Sequence, residues 1–281
     1  MNFQLTPYVK YILIINFIIF GISNLVPLDA IELVEGMPLK PINMVSSFLG
    51  YHYPGSEHFE IFQPFTYMFV HNDFRHIFSN MFALFIFGPM LENVLGSKRF
   101  LILYIVCGLG GGALYGLTNY YEIHQLEVDA ARFINDNSPE NLLYFFQHNF
   151  EYYLQHNPEY LSFVSEKYPA LYMDHAAVVK KAVNEVSYYT LDAVETPMIG
   201  ASGAIFGLLF TFAYLFPNLR LMLLFPPIPI KAKYLVGAYI LFEIYELIQN
   251  NPGDNVAHLA HLGGVLFAFI LMKRWKYMSY K

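Results

Sequence analysis

Pro197-Met198-Ile199-Gly200-Ala201-Ser202-Gly203-Ala204-Ile205-Phe206-Gly207 is where a polar, tyrosine-rich region gives way to an apolar run. It holds a cluster of small residues and one hydroxyl. At the outer start of a membrane helix, such a serine has two readings. Small side chains let helices approach closely, which makes Ser202 a packing residue. Flanking glycines also permit a tight turn into the helix and leave backbone N–H groups free at its N-terminus, which suits a nucleophile whose reaction develops negative charge. What faces Ser202 decides between them.

The chain has 281 residues, 56% hydrophobic and 14% charged, with a mean hydropathy of +0.38. Ordinary soluble domains carry roughly 25% charged residues, so the composition is that of a membrane protein. Apolar runs long enough to cross a hydrocarbon core, about 17–25 residues each, fall near 11–28, 75–92, 100–118, 199–216, 232–249 and 257–273. The fold class expected is all-α, a bundle of six transmembrane helices. Residues 11–28 read as an uncleaved first span rather than a signal peptide, because Lys10 is their only basic flank and Val26-Pro27-Leu28-Asp29-Ala30 offers no small-x-small cleavage site.

With the N-terminus inside, the connections on that side carry Lys10, then Lys98 and Arg99, then Arg220, Lys231 and Lys233, and finally Lys273, Arg274, Lys276 and Lys281, ten of the sixteen basic residues. The positive-inside rule then puts both termini in the cytoplasm, and a bacterial inner membrane is the expected location. Residues 1–118 hold the first three spans, with 29–70 as an aromatic segment at the membrane interface between the first two. Residues 119–197 form an external insertion with twelve acidic and four basic residues. Residues 198–281 supply the last three spans and a basic tail.

Within the insertion, 142–154 and 176–183 read as amphipathic helices, with breaks at Pro139, Pro158 and Pro169. His124, His148, His156 and His175 lack ligand-like spacing and read as surface residues. The lone Cys107 lies inside the third span and reads as packing. Near the inner face, Leu224 to Lys233 reads as a proline-rich hairpin; toward the outer end of the fifth span, Glu243 and Glu246 read as its approach to water.

Two other stretches carry polar groups into the apolar runs. In His71-Asn72-Asp73-Phe74-Arg75-His76-Ile77-Phe78-Ser79-Asn80, His76 and Asn80 are one helical turn apart and share a face. A single polar residue in a span is commonly an interhelical hydrogen bond, whereas a pair on one face is a functional hypothesis. In Ala257-His258-Leu259-Ala260-His261-Leu262-Gly263-Gly264-Val265-Leu266-Phe267-Ala268, the residues Ala257, Ala260, Gly264 and Ala268 make a small-residue stripe. Gly200, Gly203 or Ala204, and Gly207 make another. Packing the two stripes together sets Ser202 against His261. A serine needs an adjacent base, which neutral histidine can be near pH 7, and His76, Asn80 and the Ser202 N–H can serve as oxyanion donors. Asp254 lies toward the aqueous end, so the expectation is a Ser-His dyad with no orienting acid. Phe206, one turn after Ser202, can stack on the imidazole.

Three motifs in this order, HxxxxHxxxN at His71, His76 and Asn80, GxSG at Gly200 to Gly203, and AHxxG at Ala260, His261 and Gly264, resemble those of the rhomboid family of intramembrane serine proteases. The resemblance implies a six-helix rhomboid-like bundle with a water-filled cavity, and hydrolysis of peptide bonds in or beside the transmembrane segments of protein substrates. It implies that Ser202 and His261 are catalytic, that His71 lines the water pocket, and that 29–70 is membrane-embedded. It also implies no cofactor or metal, and partners that are membrane proteins and the lipid bilayer, with no nucleic acid. His258, followed at the motif's spacing by His261 rather than glycine, is expected to have a secondary role or none. The long insertion and Phe206, where tyrosine is also common, depart from the family pattern. Two other readings remain beside proteolysis, a non-catalytic rhomboid-like protein that binds membrane clients and a transporter with an intramembrane His/Asn path.

Overall fold

A computed structural model describes residues 4–26, 28–31, 40–149, 176–222, 228–249 and 257–276. Among them run the helices α1 (Pro7–Leu25), α2 (Met44–Leu49), α3 (Gln63–Thr66), α4 (Phe74–Leu95), α5 (Ser97–Asn135), α6 (Pro139–Asn149), α7 (Ala176–Glu195), α8 (Ser202–Leu215), α9 (Ala232–Gln249) and α10 (His258–Arg274). Two short antiparallel pairs accompany them, β1 (Leu28–Ile31) with β2 (Lys40–Asn43), and β3 (Arg220–Met222) with β4 (Pro229–Lys231). The second pair lies at the expected proline-rich hairpin, of which 223–227 lie outside the described residues.

Helices α1, α4 and α5 are long and apolar enough to cross a membrane. The helix α8 is apolar but has 14 residues, while α9 and α10 occupy the fifth and sixth expected spans and carry charged or histidine residues. Large apolar side chains point outward along the bundle, among them Phe17 and Ile18 of α1, Phe78 and Phe82 of α4, and Leu241 and Ile248 of α9. Contiguous outward apolar surface on this scale needs a nonaqueous solvent, which a bilayer supplies.

The bundle is tied at one end by Glu92, buried at the last turns of α4. Its carboxylate accepts from the N–H groups of Tyr8 (3.2 Å) and Val9 (3.1 Å) at the start of α1, and from Ser97 Oγ (2.7 Å) at the start of α5. The first N–H groups of a helix lack intrahelical partners and favour negative charge, so one carboxylate fastens two helix starts to the end of a third. Gly96, at φ 78°, turns the chain between α4 and α5 in a conformation that favours glycine.

At the centre, α5, α8 and α10 meet almost backbone to backbone. A Cβ added at Gly264 would be driven into the Gly203 carbonyl, one at Gly111 would lie 2.5 Å from the Ala260 carbonyl oxygen, and one at Gly263 would lie 2.8 Å from the Cα of Gly111. The small-residue stripes of the fourth and sixth segments do face each other, and the glycines of the third complete the contact. Cys107 is buried there, its side chain filling the space in front of Gly207.

The described residues between α1 and α4 are held by specific hydrogen bonds. Asn43 caps α2 by accepting from Val45 N (2.9 Å) and Ser46 N (3.2 Å), and donates through Nδ2 to the Ser23 carbonyl. Gln63, fully buried, donates to the carbonyls of His58 (2.8 Å) and Phe48 (3.3 Å), and Thr66 donates to that of Leu49 (2.7 Å). The Tyr67 hydroxyl donates to the Gly108 carbonyl on α5 (2.7 Å).

At about 1.5 Å per residue, the 39 residues of α5 measure about 58 Å, nearly twice a hydrocarbon core of about 30 Å. The boundary expected at 118/119 therefore falls inside one helix, and the insertion begins as its continuation. Leu126, Ala130 and Phe133 of α5, Leu142, Phe145 and Phe146 of α6, and Ala182 and Val186 of α7 make a second apolar core. The helix breaks between Asn135 and Pro139, and Pro139 begins α6, as its preset φ allows at the first turn. His148 Nδ1 pairs with Asp129 (2.6 Å), and His124 sits 3.9 Å from Glu127. Pro158, Pro169, His156 and His175 lie outside the described residues.

Candidate active site

The approach to Ser202 is held from two sides. Tyr51 and Met198 exchange a pair of backbone hydrogen bonds, each 2.9 Å, and Gly200 N donates to the Tyr67 carbonyl (2.9 Å). Gly200 has φ 120°, where an L side chain is strained, and a Cβ there would lie 2.6 Å from His76 Nε2. Glycine thus permits both the turn and the close passage of the chain beneath the His76 ring. The helix α8 starts at Ser202 itself, so the N–H groups of its first turn have no intrahelical partner.

Ser202 Oγ stands 2.8 Å from His261 Nε2. Phe206 stacks on the imidazole with centroids 4.2 Å apart and planes within 8°. Gly203 and Gly264 are the positions at which the two backbones touch, so these glycines set the serine–histidine distance. On α4, the Asp73 carboxylate caps the helix by accepting from His76 N (2.8 Å), which sets the face that His76 and Asn80 share. Asn80 is buried, and its Nδ2 donor has no partner among the described residues. His71, just before the helix, lies edge-on to His76 at 4.8 Å. Burial, with His76 beside it, pushes the His71 imidazole down from 6.5 to about 3, so it is neutral at physiological pH.

A carboxylate that the sequence reading did not place beside His261 does stand against it. Glu243 of α9, buried, reaches His261 Nδ1 at 2.8 Å with the same oxygen that stands 2.7 Å from His258 Nδ1. Asp254 lies outside the described residues. The carboxylate comes from the helix that precedes the histidine's own. The sequence signal was there, since a carboxylate in an apolar run is a functional hypothesis by the same rule that singled out His76 and Asn80. His258, likewise, faces the carboxylate.

A family model described as the Rhomboid domain matches residues 58–124 and 165–275. The chain is 25% identical over 211 residues to "RHOMBOID-like protein 12, mitochondrial" of Arabidopsis thaliana, covering 74% of this chain and 45% of that protein. It is 25% identical over 214 residues to "Rhomboid protein 1, mitochondrial" of Saccharomyces cerevisiae, covering 73% and 40%. The chain thus spans less than half the length of these curated relatives. Both are mitochondrial by name, so the expected bacterial inner membrane draws no support from them; the apolar helices and the family establish an integral membrane protein. The two matched stretches contain His71, His76 and Asn80 on one side of the insertion and Ser202, Glu243 and His261 on the other, and on that coverage the chain belongs to the rhomboid family.

Proposed function

We propose that this protein is an intramembrane serine endopeptidase that cleaves peptide bonds in or next to the transmembrane segments of membrane-protein substrates. The carrying observation is the 2.8 Å contact between Ser202 Oγ and His261 Nε2 at a helix N-terminus, inside an apolar bundle. Ser202 Oγ attacks the scissile carbonyl while its proton passes to His261 Nε2. The developing oxyanion is met by the Ser202 N–H and by the side chains of His76 and Asn80. His261 then gives the proton to the departing amine, and water hydrolyses the acyl-enzyme by the reverse relay. His71, Gly200, Gly203, Phe206 and Gly264 support this arrangement.

In this reading α1, α4, α5, α8, α9 and α10 are the six spans, and both termini lie on the side rich in Lys and Arg. The insertion stands outside the membrane beside the mouth of the site. Its link to the segment before α4 supports that placement: the Glu195 carboxylate accepts from Ser56 Oγ (2.9 Å) and pairs with His58 (2.7 Å), and Tyr53 donates to Glu127 (3.1 Å). Replacing Glu195 with Ala should then alter the relative turnover of different substrates more than it alters the stability of the bundle.

The test of the enzymatic reading is labelling of the detergent-solubilised protein with a fluorophosphonate. Wild type should label and Ser202→Ala should not. Equal labelling of the two, or binding of a membrane client with no cleavage, removes the protease reading.

A further inference from the structure

Glu243, His258 and His261 bring one carboxylate and two imidazoles together within 4.8 Å, all buried or nearly so, behind the face of His261 that meets Ser202. Such a set can bind a metal or can be a hydrogen-bonded relay, and the distances distinguish them. Ligands of a tetrahedral zinc at bond lengths of about 2.0–2.1 Å stand roughly 3.4 Å from one another. Here one oxygen stands 2.7 Å and 2.8 Å from the two ring nitrogens, the range of charge-assisted hydrogen bonds.

We propose that Glu243 is a positioning residue for the base, making the site a Ser202–His261–Glu243 triad in which His258 keeps the carboxylate in place. The inference rests on the protease reading of Ser202 and His261. An ionised carboxylate only accepts hydrogen bonds, so the contact with Glu243 requires the proton of neutral His261 to sit on Nδ1. That leaves the Nε2 lone pair facing Ser202 Oγ, the tautomer a general base needs. When Nε2 takes the serine proton, the imidazolium forms with a carboxylate already hydrogen-bonded to its other side, and no group has to move. A carboxylate buried between apolar helices needs donors of its own, and the second N–H, from His258, supplies one. His258 is thereby assigned to holding Glu243, one step removed from the reacting atoms.

The experiment compares wild type, Ser202→Ala, Glu243→Gln and His258→Ala on a model transmembrane substrate, with thermal unfolding measured alongside. Gln keeps the length and an acceptor but loses the charge. Loss of the orienting acid in the Ser-His-Asp enzymes lowers kcat by about 10⁴, and Glu243→Gln should lower it by at least about 10²-fold with KM within about twofold. His258→Ala should cause a smaller fall. Cleavage by Glu243→Gln at the wild-type rate overturns the triad while Ser202 dependence still stands; wild type that neither cleaves nor labels overturns the protease reading itself. Turnover abolished by EDTA and restored by zinc overturns the positioning role in favour of a metal. Should Glu243→Gln fail to fold, ¹⁵N NMR of histidine-labelled wild type decides the matter: the Nδ1–H tautomer of His261 supports the triad, and the Nε2–H tautomer overturns it.

Discussion

Phe206 lies flat on His261, ring centroids 4.2 Å apart and planes within 8° of parallel. One residue of a helix thus fixes the plane of a ring whose edge meets the serine on that same helix. Stacking of this kind is worth about 0.5–1.5 kcal/mol, or about 2- to 12-fold in rate if it is lost from the transition state. Phe206→Leu should lower kcat within that range, and Phe206→Tyr, which keeps the ring, should stay near wild type. Steady-state cleavage of a model substrate measures both.

Gly264 and Gly237 make a matched pair. A Cβ at Gly264 meets the backbone of Gly203, which cannot rotate away, whereas one at Gly237 meets nothing within 4 Å. Gly264→Ala should cost about 1–3 kcal/mol or more from overpacking and push His261 away from Ser202. Gly237→Ala should be neutral, or stabilising by up to about 1 kcal/mol. Thermal unfolding in detergent together with fluorophosphonate labelling reads both consequences, and equal behaviour of the two variants would contradict the packing account.

Glu92 fastens α1 and α5 to α4. Glu92→Ala leaves the N–H groups of Tyr8 and Val9 and the hydroxyl of Ser97 without their acceptor, at a cost of about 1–3 kcal/mol for the buried Val9 N–H and less for the two part-buried donors. Reduced unfolding free energy and earlier proteolysis within α1 are expected, with Glu92→Gln intermediate. An unfolding midpoint equal to wild type would mean that the α1 contact contributes nothing.

Protonation should destabilise the site from the His71 side. Its imidazole is lowered by burial to about 3 in the folded protein against 6.5 when free, so the unfolded chain binds the proton first. Stability is therefore fully present above about pH 6.5 and falls as pH drops toward 3. His52, also lowered by burial, acts in the same direction. His71→Phe should flatten the fall in unfolding temperature between pH 7.5 and 5 without erasing it, and an unchanged slope would remove His71 as its source.

The pair of Ser202 and His261 was legible because two small-residue stripes leave few ways for their helices to meet, and because the motif order restricts which polar residues share the site. Glu243 was legible only as a carboxylate in an apolar run; its contact with His261 was not, since no small-residue stripe fixes how α9 meets α10 and hydropathy treats a carboxylate near a span's end as approach to water. The length of α5 escaped the same measure: the apolar run ends near residue 118, but Leu126, Ala130 and Phe133 continue as one buried face against α6 and α7. The β1–β2 pair and the side-chain anchors of Gln63 and Thr66 were equally hidden, because backbone pairing and buried polar contacts depend on neighbours that local sequence does not name.

The backbone pair between Tyr51 and Met198 closes a very long stretch of chain, within which α5, α6 and α7 all lie. Loop-closure entropy grows only logarithmically, about 0.6 kcal/mol per doubling of length, and a folded insert whose two ends return to the same place adds less. Enlarging or shrinking that subdomain therefore leaves the geometry around Ser202 almost untouched. The bundle can keep the Ser202–His261 geometry constant while the subdomain carried between α5 and α8 is free to diverge.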